Sequence, residues 1–158
     1  LVVVLVIFIP LANKFLRRRT TKLNDFPYRK KDYLLTPAER SFYEVLQKIA
    51  GDNMQVFAKV RLADLVWLPK GTQNLQGHLN RVLSKYVDFV LCNRETLSPV
   101  LVVDLDDSSH SMSHRQGRNA VVNDILHYSA GLPILRISAK RSYAPNELNE
   151  LIHSKINR

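Results

Sequence analysis

Apolar positions along the chain change period several times, and each change marks an element. Thr36-Pro37-Ala38-Glu39 has the form of a helix start. Thr36 suits the N-cap, Pro37 the first turn, and Glu39 the reciprocal capping box. Phe42, Leu46 and Ile49 follow at spacings of four and three, a stripe that faces a core, and Gly51 closes the helix. Met54 to Val60 alternates and is rich in strand formers. From Arg61 to Lys85 the pattern is less regular. Leu62, Leu65, Val66 and Trp67 are expected to pack, Pro69-Lys70-Gly71 to turn, and His78 to Ser84 to form a short helix.

Two short apolar runs follow, Tyr86 to Cys92 and Val100 to Leu105, joined by Asn93 to Pro99. They predict a hairpin whose strands are mostly buried on both faces. Asp106 to Ser113 reads as a loop and Arg115 to Ala130 as a helix, with Val121, Ile125 and Tyr128 inward and Gly131 past its end. Leu132 to Ile137 is a further buried strand, and Pro145 opens a last helix with Leu148, Leu151 and Ile152 inward. The order is α-β-(β)-β-β-α-β-α, with one optional strand and no internal repeat. A mixed sheet flanked by helices is the expected α/β packing.

The first residues follow another rule. Leu1 to Ala12 is apolar throughout, and Phe15 and Leu16 extend the stretch past Lys14. Twelve helical residues span only about 18 Å, short of a hydrocarbon core of about 30 Å. Leu1 stands where an initiator Met is expected, so the segment reads as a spanning helix cut at its N-terminus. A signal peptide carries its charge before the apolar run, the reverse of this order. A buried soluble helix has a polar face, which this run lacks. Arg17-Arg18-Arg19 just beyond it marks the cytoplasmic side. The expected layout is a membrane-anchor segment over 1–16, a basic linker over 17–32 and an α/β domain over 33–158. It implies a single-pass protein of the cell inner membrane with its domain in the cytoplasm.

Charge sharpens this division. The net charge is +9, but eight basic residues against one acid between Lys14 and Lys31 supply most of it. Residues 32–158 hold fifteen basic and thirteen acidic side chains, a balance of +2. A near-neutral domain does not present a broad phosphate-binding surface, although a local basic groove stays open. Cys92 is the only cysteine, which excludes an internal disulfide and a cysteine-built zinc site, and its apolar surroundings suit a core residue.

Acidic residues inside apolar strands carry the candidate chemistry. Asp88 lies in Val87-Asp-Phe-Val90, and Asp104 and Asp106 in Val102-Val-Asp-Leu-Asp106. A carboxylate in a buried strand is costly unless a partner or a cation satisfies it. Asp104 and Asp106 share one face, and hairpin pairing brings Asp88 beside them. Clustered carboxylates repel unless a divalent cation sits among them, and hard oxygen ligands suit Mg²⁺ or Mn²⁺. The alternative is structural: Asp106-Asp107-Ser108-Ser109 also makes a natural Asx-turn.

The run Asp88-Phe-Val-Leu, a hairpin, Val-Val-Asp104-Leu-Asp106-Asp107-Ser-Ser-His110, Arg115, then Ala130-Gly-Leu-Pro-Ile-Leu-Arg136-Ile, resembles the bacterial domain-of-unknown-function family 2726 over about 33–156. That family in turn resembles the PD-(D/E)XK, restriction-endonuclease-like superfamily, in the style of very-short-patch-repair endonucleases. The resemblance implies an α-β-β-β-α-β core. It implies that Asp88 and Asp104 occupy the two acidic metal positions, and that His110 and Glu39 match a His and a helical acid of the short-patch-repair branch. Asp106 stands where the superfamily has its Lys, so His110 or Arg115 substitutes for the activator or catalysis is lost. On this reading the domain is a Mg²⁺- or Mn²⁺-dependent phosphodiesterase acting on DNA or RNA without a small-molecule cofactor. Asp88, Asp104 and Asp106 would be its ligands, with Asp106 orienting water and His110 as general acid or base. The alternatives are an inactive nuclease-like module that binds nucleic acid or a protein at the membrane, and a structural membrane-associated protein.

Overall fold

The computed structural model describes residues 26–106 and 120–157. Contacts divide the chain into Leu1–Leu34 and Leu35–Arg158. The apolar segment of 1–16, the basic linker up to residue 25, His110 and Arg115 lie outside the described residues. Among those that are described, no helix is long and apolar enough to cross a membrane.

Helix α1 (Pro37–Ala50) begins as its sequence directs. The Thr36 hydroxyl accepts the Glu39 N–H, and the Glu39 carboxylate accepts the Thr36 N–H at 2.8 Å. Gly51, at φ 53°, ends the helix in a conformation that a side chain would strain. Strand β1 (Met54–Arg61) follows, then a 3₁₀ turn over Leu62–Asp64 and helix α2 (Leu75–Leu83). The optional extra strand of 61–85 does not form. The segment lacks a second alternating run and is occupied by these helical turns. Strands β2 (Tyr86–Asn93) and β3 (Pro99–Asp106) make the expected hairpin. In its loop the Asn93 side chain accepts the N–H groups of Glu95 and Thr96, both at 3.0 Å. Helix α3 (120–129 as described) finishes in a π turn, strand β4 covers Ile134–Ser138, and helix α4 covers Pro145–Ile156.

The four strands form one mixed sheet in the order β1-β2-β3-β4. β1 with β2 and β2 with β3 run antiparallel, while β4 returns parallel to β3. A parallel return needs a crossover, and α3 lies within it. Two cores result. On one face Phe42 and Leu46 of α1 and Leu148 and Ile152 of α4 pack against Phe89, Leu91, Leu101 and Val103. On the other, Leu62, Val82 of α2, and Val122 and Leu126 of α3 pack against Val90, Cys92 and Val102. The three-layer α/β arrangement agrees with the sequence expectation. Cys92 is a core residue, and burial pushes its thiol up from the ordinary value.

Three packing expectations are corrected. Leu151 was expected inward with Leu148 and Ile152 but is 48% exposed, because the buried stripe of α4 runs through Leu148 and Ile152 at a spacing of four and leaves Leu151 at its edge. Trp67 was expected inside and is 80% exposed, because Leu62 alone of its segment is fully buried and Trp67 lies beyond the 3₁₀ turn, at the start of the Pro69 loop. Tyr128 was expected to face inward with Val121 and Ile125, yet it is 79% exposed, and Val122 and Leu126 are the residues buried. The Ala130 N–H bonds to the Ile125 carbonyl, a five-residue step. The wider π turn breaks the three-and-four spacing on which the expectation depended.

Candidate acidic site at the splayed end of the strands

Lys59 sits in the last third of β1 with φ 56°, a left-handed conformation uncommon for a side chain with a Cβ. Its effect on the strand is visible in the packing. Before it, Val56 and Ala58 pack into the α1–α4 core; after it, Val60 packs into the α2–α3 core. β2 reverses in step, with Val87 on one side and Phe89 on the other. The pairs Ala58↔Phe89 and Val60↔Val87 flank this reversal and place Lys59 opposite Asp88. One left-handed residue thus turns the pleat over and brings a Lys and an Asp together at the turning point.

The Lys59 ammonium donates to Asp88 Oδ1 at 3.0 Å and to Glu39 Oε1 of helix α1. It also lies 5.1 Å from the centre of the Tyr86 ring, within cation–π reach. The three charged side chains are mostly buried, at 21%, 14% and 13% exposure for Lys59, Glu39 and Asp88. Burial alone would lower the Lys59 pKa, but hydrogen bonds to Glu39 and Asp88 outweigh it and hold the pKa above the ordinary value. Burial likewise pushes Glu39 up, and its bonds from Lys59 and the Thr36 N–H more than reverse this, holding its carboxyl below the ordinary value. Glu39 therefore serves two elements at once, capping α1 with one oxygen and gripping β1 with the other.

On the far side of Asp88 the β2–β3 ladder ends at Phe89↔Val103. Beyond it, side chains replace the main-chain pairing. Asp104 Oδ1 accepts the Asp88 N–H at 3.1 Å, and Asp88 Oδ2 accepts the Leu105 N–H at 3.1 Å. The strands splay here, and each carboxylate satisfies a backbone donor that a continuing ladder would have bonded. Asp104 is the one buried charged residue among those described, at 8% exposure.

β4 brings in a second cation. Asp104↔Arg136 and Asp106↔Ser138 are partners in the parallel ladder, so Arg136 and Asp104 are neighbours on one face. Arg136 lies inside an apolar strand, a setting in which charge complementarity calls for a buried acid as its partner. Its Nη1 donates instead to Asn123 Oδ1 of α3 at 2.9 Å, while Nε and Nη2 are buried without an acceptor. The residues of strand and helix at this end give Glu39, Asp88, Asp104 and Asp106 against Lys59 and Arg136, a formal excess of two negative charges.

The structure thus brings together Glu39, Asp88 and Asp104 of the sequence-derived set, with Asp106 on the same strand end as Asp104. Among the described residues no group of three or more His, Cys, Asp or Glu stands close enough to hold a metal ion. Asp88 Oδ1 and Glu39 Oε1 are instead bridged by Lys59. Sequence reasoning passed over Lys59 and Asn123. The signal for Lys59 was the demand of Asp88 for a cation, since the strands supply only Lys59, Arg61 and Arg136 as basic residues.

The family described as "Protein of unknown function (DUF2726)" matches residues 31–156. The chain belongs to this family. No curated protein and no solved structure gives a significant match. In this member of DUF2726, then, the matched region includes all four strands and every residue of the acidic cluster.

Proposed function

We propose that the DUF2726 domain is a metal-dependent phosphodiesterase acting on nucleic acid, related in kind to the PD-(D/E)XK nucleases. The observation that carries the reading is the Glu39–Lys59–Asp88–Asp104 cluster at the splayed end of the antiparallel strands. Element order is compatible with it: apart from α2, inserted between β1 and β2, a helix, three antiparallel strands, a crossover and a parallel fourth strand follow in the α-β-β-β-α-β order that the resemblance implies. Charge supports it as well, because the excess of two negative charges equals what one divalent cation neutralises.

Asp88 and Asp104, fixed by reciprocal bonds to each other's strands, would hold Mg²⁺ or Mn²⁺, with Asp106 beside them. Bound there, such an ion polarises a phosphoryl oxygen and lowers the pKa of its water. In the arrangement described, Asp88 Oδ1 is engaged by Lys59, so loading requires the ammonium to release it. Lys59 is then the cation placed to meet the phosphate, the role vacated where Asp106 replaces the superfamily's Lys. His110 is carried as the proton-transfer residue and Arg115 as a phosphate contact on the strength of the resemblance alone.

The test is cleavage of labelled DNA and RNA by the purified chain with Mg²⁺ or Mn²⁺, beside Asp88→Ala, Asp104→Ala and Lys59→Ala. Each substitution is expected to lower the rate at least about 10²-fold, the scale of losing one charge-stabilising group. Equal rates in all four proteins would assign the activity to a contaminant and end the proposal.

A catalytically inactive module is the second reading, and Lys59 is what favours it. An ammonium already bridging Glu39 and Asp88 satisfies both acids without a metal. That reading expects nucleic-acid affinity indifferent to Mn²⁺ and to Asp104→Ala. The membrane tether is also carried as a proposal, on the apolar run of 1–16 and the arginines that follow it. Release of the protein into the soluble fraction on carbonate extraction would exclude it.

A further inference from the structure

The segment between β1 and β2 carries a feature that the acidic cluster does not use. Its 3₁₀ turn, α2 and the C-terminal end of α3 enclose a groove of about 570 Å³. Leu65, Val66 and Ile125 form apolar walls, and His78 and Arg81 supply polar edges. At the rim stands Trp67, with four-fifths of its surface in water. A large indole exposed beside an apolar hollow presents a flat face without a protein partner among the described residues.

Charge indicates what would lie there. Residues 61–85 hold Arg61, Lys70, Arg81 and Lys85 against Asp64 alone, and Asp64 is already clasped by both Nε and Nη2 of Arg61 at 2.9 and 2.8 Å. The rest of 32–158 has eleven basic and twelve acidic residues, so this segment holds the whole positive balance of the domain. A flat apolar face with Arg81 on the groove wall and Lys70 three residues beyond Trp67 in the chain matches a nucleic-acid strand: base against indole, phosphate against Arg and Lys. The groove is recessed between helices, and a base stacked within a duplex cannot enter it.

Position links the groove to the acidic cluster. The segment leaves β1 two residues after Lys59 and rejoins β2 two residues before Asp88, closed at its base by the Leu62 N–H to Lys85 carbonyl bond of 2.9 Å. We propose that the Trp67 groove receives an unpaired nucleobase, making single-stranded nucleic acid the substrate class. This rests on the nucleic-acid reading above, though not on its chemistry.

Trp67 is the only tryptophan of the chain, so its fluorescence reports on this place alone. The full chain is titrated with a single-stranded oligonucleotide and with the same sequence as a duplex. EDTA is present so that nothing is cleaved, and anisotropy of a labelled strand follows binding in parallel. The expected result is saturable quenching by the single strand and none by the duplex. Trp67→Ala should bind roughly 10-fold or more weakly, and Arg81→Gln should reduce the salt dependence by about one phosphate contact. Unchanged emission while anisotropy saturates would overturn the proposal, as would no binding, an equal response to duplex, or full affinity in Trp67→Ala. Quenching without cleavage at any metal concentration would leave the groove standing and remove the phosphodiesterase. Cleavage without quenching would do the opposite.

Discussion

Lys59 and Asp88 face each other across β1 and β2 at the one place where both strands reverse their pleat, and their charged atoms meet at 3.0 Å. The left-handed backbone of Lys59 is the local cost of that meeting, and the ion pairs to Asp88 and Glu39 offset it. Two substitutions separate the contributions. Lys59→Ala keeps the backbone strain and loses both pairs, and should lower the unfolding free energy by about 2–4 kcal/mol. Lys59→Gly loses the same pairs but relieves the φ of 56°, and should be more stable than the alanine variant by about 1 kcal/mol. Glycine in a regular strand would be the worse of the two. Urea unfolding of both variants measures the order, and alanine above glycine would mean that position 59 is an ordinary strand residue.

The same cluster sets a pH dependence. The carboxyl of Glu39 lies below its ordinary 4.5 in the folded chain, so its contribution is present above that value and is lost as pH falls through the depressed one. Lys59 lies above its ordinary 10.5, so its share is whole below that pH and disappears only as pH rises through the raised value. Stability should therefore fall on the acid side below about pH 4.5 and, separately, on the strongly alkaline side. Glu39→Gln should flatten the acid limb and leave the alkaline one reduced but present, since Asp88 still holds Lys59. Unfolding midpoints across the pH range read both limbs. An acid limb equally steep in the variant would place the responsible carboxylates elsewhere.

How much of this was legible in the chain follows from what each signal depends on. The capping box at Thr36 and Glu39, the two strands of the hairpin and the final helix were read from local rules, and local rules formed them. Asp88 and Asp104 were visible because a carboxylate inside an apolar run is conspicuous in any register. Lys59 was not, since it sits in an alternating strand where a Lys reads as an outward residue. Only the left-handed turn, which no local rule demands of Lys, swings it toward Asp88. Tyr128 and Trp67 were misplaced for a related reason. A π turn and a 3₁₀ turn alter the helical period within a few residues, and apolar spacing cannot register the change. The partner of Arg136 was misjudged because charge complementarity suggested an acid, whereas packing of α3 on β4 put Asn123 first.

On the phosphodiesterase reading Lys59 and a divalent cation would compete for the same oxygen, Asp88 Oδ1, and this gives that reading a test independent of turnover. Lys59→Met removes the ammonium from between Glu39 and Asp88, leaving two mostly buried carboxylates with more reason to bind metal. Calorimetric titration with Mn²⁺ should show affinity rising about 10-fold or more in Lys59→Met, a change of roughly one pKa-unit equivalent. On the same reading cleavage should nevertheless fall, because the cation that would meet the phosphate is gone. Asp104→Ala should lose the metal heat. If Mn²⁺ binds Lys59→Met and the unaltered chain alike, the metal does not use Asp88 Oδ1.

Arg136 offers the contrary case, a charged group whose removal should stabilise. Its Nε and Nη2 are buried without an acceptor, and only Nη1 is satisfied, by Asn123. A buried donor left unbonded costs about 1–3 kcal/mol, and more when it is charged. Replacing a poorly satisfied buried ion by an apolar side chain of similar length is often neutral or favourable. Arg136→Met should therefore unfold at the same or a higher urea concentration than the unaltered chain, by up to about 2 kcal/mol. Asn123→Ala, which strips the guanidinium of its one observed acceptor, should lose about 1–3 kcal/mol. The signs are opposite although the two residues share one hydrogen bond, because one substitution deletes the unsatisfied group and the other leaves it behind. A loss of several kcal/mol in Arg136→Met would show that the guanidinium edge is bonded in solution, and Asp104, its ladder neighbour, is then the first acceptor to examine.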